Sequence, residues 1–332
     1  MADAAALAPM IDVLLERLRP DAKSLIVSLF GDAVAPHGGV VWLGSLVDLV
    51  EPFGLNERVV RTSVFRLSKE GWLVSTQVGR RSAYGLTESG RRRFEAADRV
   101  IYAGRRAPWG GRWTIVFTGL VDGEVREALR RDLAWQGFGQ LLPGVMVHPE
   151  PDEAALRQAL ADAVVDTGAV MMRAGGEDWA PPEALRDLVA RAWDLDALAA
   201  GYAAFLDAFR PFLAVLARGE ADPRDAFRLR ILLVHAWRRA ILRDPALPDE
   251  LLPADWPGAA ARLLVRNLYR AVGLSAETHL ARTMVTPDGP VGPPAANCRN
   301  RFGGLTEDGD HGHRPERPGL VVSPGTPRSD DR

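Results

Sequence analysis

The chain has a single cysteine, Cys298, in 332 residues. That excludes an internal disulfide and any multi-cysteine zinc site. No apolar run reaches the roughly 18 residues of a membrane span. The acidic N-terminus lacks the basic and apolar regions of a signal peptide. A cytoplasmic protein without a membrane partner is therefore expected. Also missing are a glycine-rich phosphate loop of Walker or dinucleotide type and a G-x-S-x-G nucleophile elbow. The six histidines (37, 148, 235, 279, 311 and 313) show no metal-ligand spacing before the C-terminal tail. His311 and His313, in that tail, read as a flexible polar pair, and His148 as a strand-end residue. Carboxylates such as Asp194 and Asp196 sit two apart on a predicted helix and face different directions. No catalytic residue, metal ligand or cofactor is predicted, and the expectation is a protein that is not an enzyme.

What is present in bulk is 47% hydrophobic and 25% charged residues with a net charge of −2. That is the composition of a globular protein able to bury real cores, and the length suits two or three domains. Positive charge is concentrated in one stretch. Between Asn56 and Arg93 there are nine Lys/Arg and three Glu, an excess of six positive charges in a chain that is slightly negative overall. A local basic patch is what phosphate binding requires, whatever the total charge.

The same stretch has a readable plan. Asn56 is placed to cap a helix, with Glu57 near its positive end. At helical spacing Val60, Val64 and Leu67 share one side with Ser63 beside them. Arg58, Thr62, Phe65, Arg66 and Lys69 share the other, with Arg61 on its flank. Gly71 suits a left-handed C-cap. The period then alternates through residues 72–78 and 82–86, the pattern of a hairpin whose turn, Gly79-Arg80-Arg81, carries two cations. A helix that can enter a major groove, followed by an arginine-tipped hairpin, is the winged helix-turn-helix plan. The competing reading is a helix and hairpin with an ordinary solvated face.

Upstream, residues 7–19 read as a lead-in helix. A helix from Ala22 to about Ala35 follows, capped by Asp21, and Pro36 with Gly38-Gly39 end it. Residues 40–43 form a short strand, and Ser45 is expected to cap the next helix. Downstream, Thr87 caps a helix to about Tyr102. Its Arg91-Arg92-Arg93 run suits either flanking phosphates or a solvated face. A Gly/Pro/Arg linker (103–111) leads to a β-α-β-α-β pattern over 112–177, suggesting a small ferredoxin-like sheet. From 178 the chain is helical, with a break at Pro211, a helix over about 223–242, a proline-punctuated turn and a last helix to about Val272. After Thr283, dense Pro, Gly and charge predict a disordered tail.

Four blocks carry a resemblance: SLIVSLFGD, VRTSVFRLSKEGWL, GRRSAYGLTESGRRR and HAWRRAILRDPALPDELLPADWPGAAA. Over about residues 20–280 the chain resembles the PaaX family, repressors of phenylacetic acid degradation genes. The last block is the most discriminating, because winged helices are common and this proline-rich turn is not. The resemblance implies an α+β multidomain protein. Its parts would be a winged helix-turn-helix domain (20–102), a ferredoxin-like, Cas2-like central domain (112–177) and a helical effector and dimerisation domain (178–282). The tail (283–332) is not something the family implies. It further implies a homodimeric repressor that binds a double-stranded DNA operator and is released by phenylacetyl-CoA or a related aryl-CoA effector. The DNA-binding residues would be Arg58, Arg61, Thr62, Phe65, Arg66, Lys69, Arg80 and Arg81. For the effector, Arg230, His235, Trp237, Arg238 and Arg239 are the candidates, since cations suit CoA phosphates and an aromatic suits the acyl ring. A helix–helix interface is the competing reading for those five. Two other functions compete: an acyl-CoA-binding enzyme, and an RNA-binding or nuclease-like protein, each with an accessory winged helix.

Overall fold

The computed structural model describes residues 6–104, 108–121, 123–164, 169–175 and 182–304. Helix α1 (Leu7–Leu18) buries Leu7, Ile11 and Leu14, one stripe at helical spacing, and stops where Arg19 turns left-handed. Helix α2 (Ala22–Leu29) starts where Asp21 accepts the Ser24 N–H at 3.0 Å. The continuous helix expected to Ala35 does not form. A π-helical turn (Phe30–Val34) and a 3₁₀ turn (Ala35–His37) replace its second half. The wider turn carries Asp32, which is fully buried and takes hydrogen bonds from residues far along the chain. π turns commonly mark such demands on a helix.

Strand β1 (Val40–Trp42) leads into α3 (Leu43–Val50). Ser45 is not its cap, because the helix already begins at Leu43. Instead its hydroxyl donates to the Thr283 carbonyl at 2.8 Å and accepts from the Val285 N–H at 2.9 Å. Helix α4 (Glu57–Lys69), strands β2 (Leu73–Val78) and β3 (Arg81–Leu86), and α5 (Glu88–Ile101) follow. The three strands form an antiparallel sheet in the order β1-β3-β2. Thr87 caps α5 through a 2.8 Å bond from the Gly90 N–H. Gly90 cannot be larger, since a Cβ there would lie 2.2 Å from the Trp72 carbonyl.

The central segment contributes β4 (Arg112–Phe117), α6 (Gly123–Trp135), β5 (Gly139–Leu142), β6 (Val145–His148), α7 (Glu153–Val164) and β7 (Val170–Gly175). The single strand expected near 141–148 is a hairpin of two, turned at Gly144 with φ +81°. The sheet order β5-β6-β4-β7, antiparallel throughout, is that of a split β-α-β unit. His148 ends β6 and is buried, with Nε2 3.0 Å from the Pro245 carbonyl.

The last third is helical: α8 (Pro182–Ala192), α9 (Leu195–Phe209), α10 (Pro211–Leu216), α11 (Pro223–Ile241) and α12 (Pro257–Thr283). Together α9 and α10 are long and apolar enough to cross a membrane by length and composition alone, although Asp196, Asp207 and Arg210 interrupt the apolar run. One side of them, with Tyr202, Phe205, Phe209 and Phe212, is buried in the protein. Helix α12 runs eleven residues past the predicted end at Val272. Ala276 and Leu280 continue its buried stripe.

The disordered tail expected from 283 is also corrected. Met284 is buried, β8 (Val285–Thr286) pairs with β9 (Gly289–Pro290), and a 3₁₀ segment (Ala296–Gly303) buries Arg301 and Phe302. Residues 305–332, with His311 and His313, lie outside the described residues. One hydrophobic core runs through α1–α5 and α9–α12 together, ending on Phe302. The central sheet has two smaller cores, one beneath α6 and α7 and one shared with α8 and the proline-rich turn.

Candidate nucleic-acid interface

Helix α4 starts because Asn56 accepts the Val59 N–H at 3.1 Å, and the chain leaves it through Gly71 at φ +73°. Its inner face, Val60, Ser63, Val64 and Leu67, is buried. Burying those apolar side chains stabilises the helix by about 1.5–3 kcal/mol each, so its rotation is fixed. That rotation exposes Arg58, Arg61, Thr62, Phe65, Arg66 and Lys69.

The exposed residues are not equivalent. Arg61 is held by Glu57 one turn earlier, at 2.5 Å, with both side chains more than half exposed. Such pairs contribute about 0.2–1 kcal/mol, so a phosphate can displace the carboxylate. The Thr62 hydroxyl donates to the Arg58 carbonyl at 2.9 Å. Phe65 is 57% exposed, and the Lys69 ammonium sits 4.9 Å from its ring centre. Arg58 and Arg66 have no ion-pair partner among the described residues. An exposed aromatic ring among exposed cations suits a surface that meets apolar base edges and phosphates together.

The hairpin turn has two residues, Gly79 (φ +60°) and Arg80, because Val78 and Arg81 already pair across the strands. Arg81 therefore belongs to β3 and not to the turn, and its guanidinium lies 4.3 Å over the Trp42 ring. Arg80 alone occupies the tip, exposed. Of the triplet on α5, Arg92 pairs with Glu88, Arg93 lies 5.0 Å over the Trp72 ring, and Arg91 is exposed.

The five effector candidates separate. Residues 235 and 239 are one helical turn apart, whereas 237 and 230 point elsewhere. Arg230 is buried, bound to Asp32 at 2.7 Å and Glu277 at 2.5 Å. Trp237 is fully buried, its indole N–H donating to the Ile101 carbonyl at 2.7 Å. Arg238 reaches back to α2, donating to Ser24 Oγ at 2.8 Å. His235 and Arg239 line a groove between α1, α9 and α11.

Sequence reasoning missed a buried cluster around Asp32. Its carboxylate accepts from Tyr102 Oη (2.7 Å), Tyr269 Oη (2.9 Å), Arg230 Nε (2.7 Å) and Arg301 Nη1 (3.0 Å). Arg301 also reaches Asp98 at 2.9 Å. Burial pushes both tyrosines above their ordinary range, which keeps them as hydroxyl donors. Burial opposes the charge on Arg230 and Arg301, but their anionic and tyrosine neighbours raise both and keep them cationic. Burial likewise opposes the charge on Glu277, yet the hydrogen bonds from His37 and Arg230 hold it down at about 2. The cluster joins the π-helical turn after α2 to α5, α11, α12 and the C-terminal segment. An aspartate inside an apolar helix pattern was the one available signal.

A basic helix face beside an arginine-tipped hairpin is an arrangement through which a regulator of transcription can meet a duplex. Comparison with known proteins agrees. Residues 21–90 match the model of the PaaX-like protein, 106–186 that of the PaaX protein central Cas2-like domain, and 193–282 that of the PaaX-like protein C-terminal domain. The chain is 39% identical over 284 residues to the transcriptional repressor PaaX of Escherichia coli strain K12, covering 85% of this chain and 90% of that protein. It also resembles the solved structure of the uncharacterized protein Rv0674 from Mycobacterium tuberculosis. There the TM-score is 0.50 at 26% identity, over 77% of this chain and 97% of that one. The chain belongs to the PaaX family, and its relationship is to a regulator of transcription rather than to an enzyme.

Proposed function

We propose that this protein is a cytoplasmic, homodimeric repressor of aromatic-acid catabolism genes, released from its operator by phenylacetyl-CoA or a related aryl-CoA thioester. Residues 20–102 act as a winged helix-turn-helix. Helix α4 enters the major groove, where Arg58, Arg66 and Phe65 meet base edges and Arg61 and Lys69 meet phosphates. Arg80 tracks the flanking backbone from the hairpin tip. The observation that carries this reading is the fixed rotation of α4, which holds four apolar-side residues in the core and turns six polar or aromatic ones outward. Phosphate contacts supply affinity and a salt dependence, and base contacts supply sequence choice. The effector must bind the DNA-incompetent state better, and DNA must weaken the effector by the same factor.

The test is binding of the purified protein to its own upstream DNA, with and without phenylacetyl-CoA. Binding abolished by the thioester, and not by free phenylacetate, supports both halves of the proposal. Binding indifferent to the thioester keeps the repressor and removes that effector. No binding at low salt removes the DNA-binding reading itself.

A further inference from the structure

We propose that the groove between α1, α9 and α11 binds an amphipathic anion that carries an N–H or O–H donor, and that it is where the effector acts. The second half rests on the effector reading above. The groove encloses about 330 Å³, within the range of small-molecule sites. Its floor is apolar, formed by Phe205 and by the small residues along one face of α9, Gly201 among them. Its rim is cationic: Arg17, Arg239 and Arg243 are all exposed, and none has an ion-pair partner among the described residues.

A fourth group narrows the ligand further. His235 lines the floor, is 1% exposed, and has no hydrogen-bond partner for Nε2. Its Nδ1 lies 3.1 Å from Ser28 Oγ, whose own proton goes to the Ser24 carbonyl at 3.1 Å. The hydroxyl must therefore accept, so Nδ1 bears the hydrogen and Nε2 is a bare lone pair. Burial, then Arg238 and Arg239, push the imidazole down to about 4, so it stays neutral at physiological pH. A buried acceptor without a donor costs free energy that a ligand N–H or O–H recovers. An acyl-CoA thioester offers all three complements: an acyl group for the floor, pantetheine amide N–H groups for Nε2, and phosphates for the arginines.

The groove is one layer from α4. His235 and Arg238 both grip α2, through Ser28 and through Ser24, and α2 packs directly on α4. An occupant that shifts this side of α11 shifts the seat of the DNA-facing helix.

The experiment uses two probes on the full chain: phenylacetyl-CoA, and the fluorescent amphipathic anion anilinonaphthalene sulfonate. Two variants alter the groove. Gly201→Phe fills it, and a Cβ at that position meets no atom within 4 Å. Arg239→Glu reverses one rim charge on an exposed side chain. The expected result is fluorescence enhancement on the wild type, displaced by the thioester. Both variants should lose at least tenfold in affinity for both probes while their unfolding midpoints stay near that of the wild type. A wild type that binds neither probe, or variants that bind both as tightly as the wild type, overturns the proposal. Groove-dependent binding of the dye with no binding of the thioester keeps the anion site and removes the aryl-CoA effector. A thioester that releases the operator from the wild type and from both variants alike places the effector elsewhere.

Discussion

Arg61 on α4 and Arg301 in the C-terminal segment each hold a carboxylate, Glu57 at 2.5 Å and Asp32 at 3.0 Å, in opposite surroundings. The Arg61 side chain is 59% exposed and that of Arg301 is 4% exposed. In water the first pair contributes little, and either ion can change partner. In the core the second pair cannot separate without leaving a charge unpaired where solvent does not reach. The same residue type thus serves two purposes. Exposed guanidinium groups remain available to an incoming polyanion, while buried ones fasten the π-helical turn after α2 to α5, α11, α12 and the C-terminal segment.

The sharpest way to break the comparison is Asp32→Ala. It removes the acceptor of two buried arginines and two tyrosines, and should destabilise the protein by about 3–5 kcal/mol in urea unfolding. A loss under about 1 kcal/mol would mean the cluster is wetter and looser than its geometry. The pH dependence of stability samples the same interior. Glu277 is held at about 2 against an ordinary 4.5, so its contribution is complete above pH 4.5 and is lost as pH falls toward 2. His235, held at about 4 against 6.5, is buried neutral. The unfolded chain takes up that proton first, so stability already declines as pH falls from 6.5 to 4. Unfolding midpoints flat between pH 7 and 4 would contradict this.

On the exposed side the effects are smaller and appear in binding, not folding. Arg66→Ala should weaken operator binding by about 1–3 kcal/mol and relax sequence preference, with the unfolding midpoint unchanged. Unchanged operator affinity in a titration would remove Arg66 from the interface. Arg80→Ala should weaken binding to any duplex about equally and lower the salt slope by about 1. A sequence-selective loss would mean that the hairpin tip reads bases.

These two regions differ in how much of them the sequence discloses. Helix α4, its Asn56 cap and the following hairpin are local: a 3.6-residue period, one side-chain oxygen and an alternating pair of segments define them within about thirty residues. Even there the turn is a residue shorter than expected, because Arg81 leaves the tip to lie over Trp42 from another strand. The Asp32 cluster has no local period. Its partners Arg230, Tyr269 and Arg301 are 198, 237 and 269 positions away. For the same reason the segment after Thr283 reads as disordered from composition, although in its described part, residues 284–304, Arg301 and Phe302 are buried against the N-terminal helices. The five effector candidates share one short stretch and Arg230 but not one surface. Only the packing of α9 and α1 decides that His235 and Arg239 face a groove while Trp237 faces the core.

The smallest predicted effect tests the exposed pair directly. Glu57→Gln removes the carboxylate from Arg61 and takes one negative charge from the exposed face of α4. Stability should change by less than about 1 kcal/mol, since an exposed i,i+4 pair and a favourable charge near a helix N-terminus are each worth a few tenths to 1 kcal/mol. Operator affinity should rise, because Arg61 no longer has to leave a partner before meeting a phosphate. The gain should shrink as salt is raised, since screening weakens both the lost pair and the new contact. A fall in affinity would mean that Glu57 positions Arg61 for the duplex. The exposed pair would then be a fixed element of the interface, nearer in kind to the buried one.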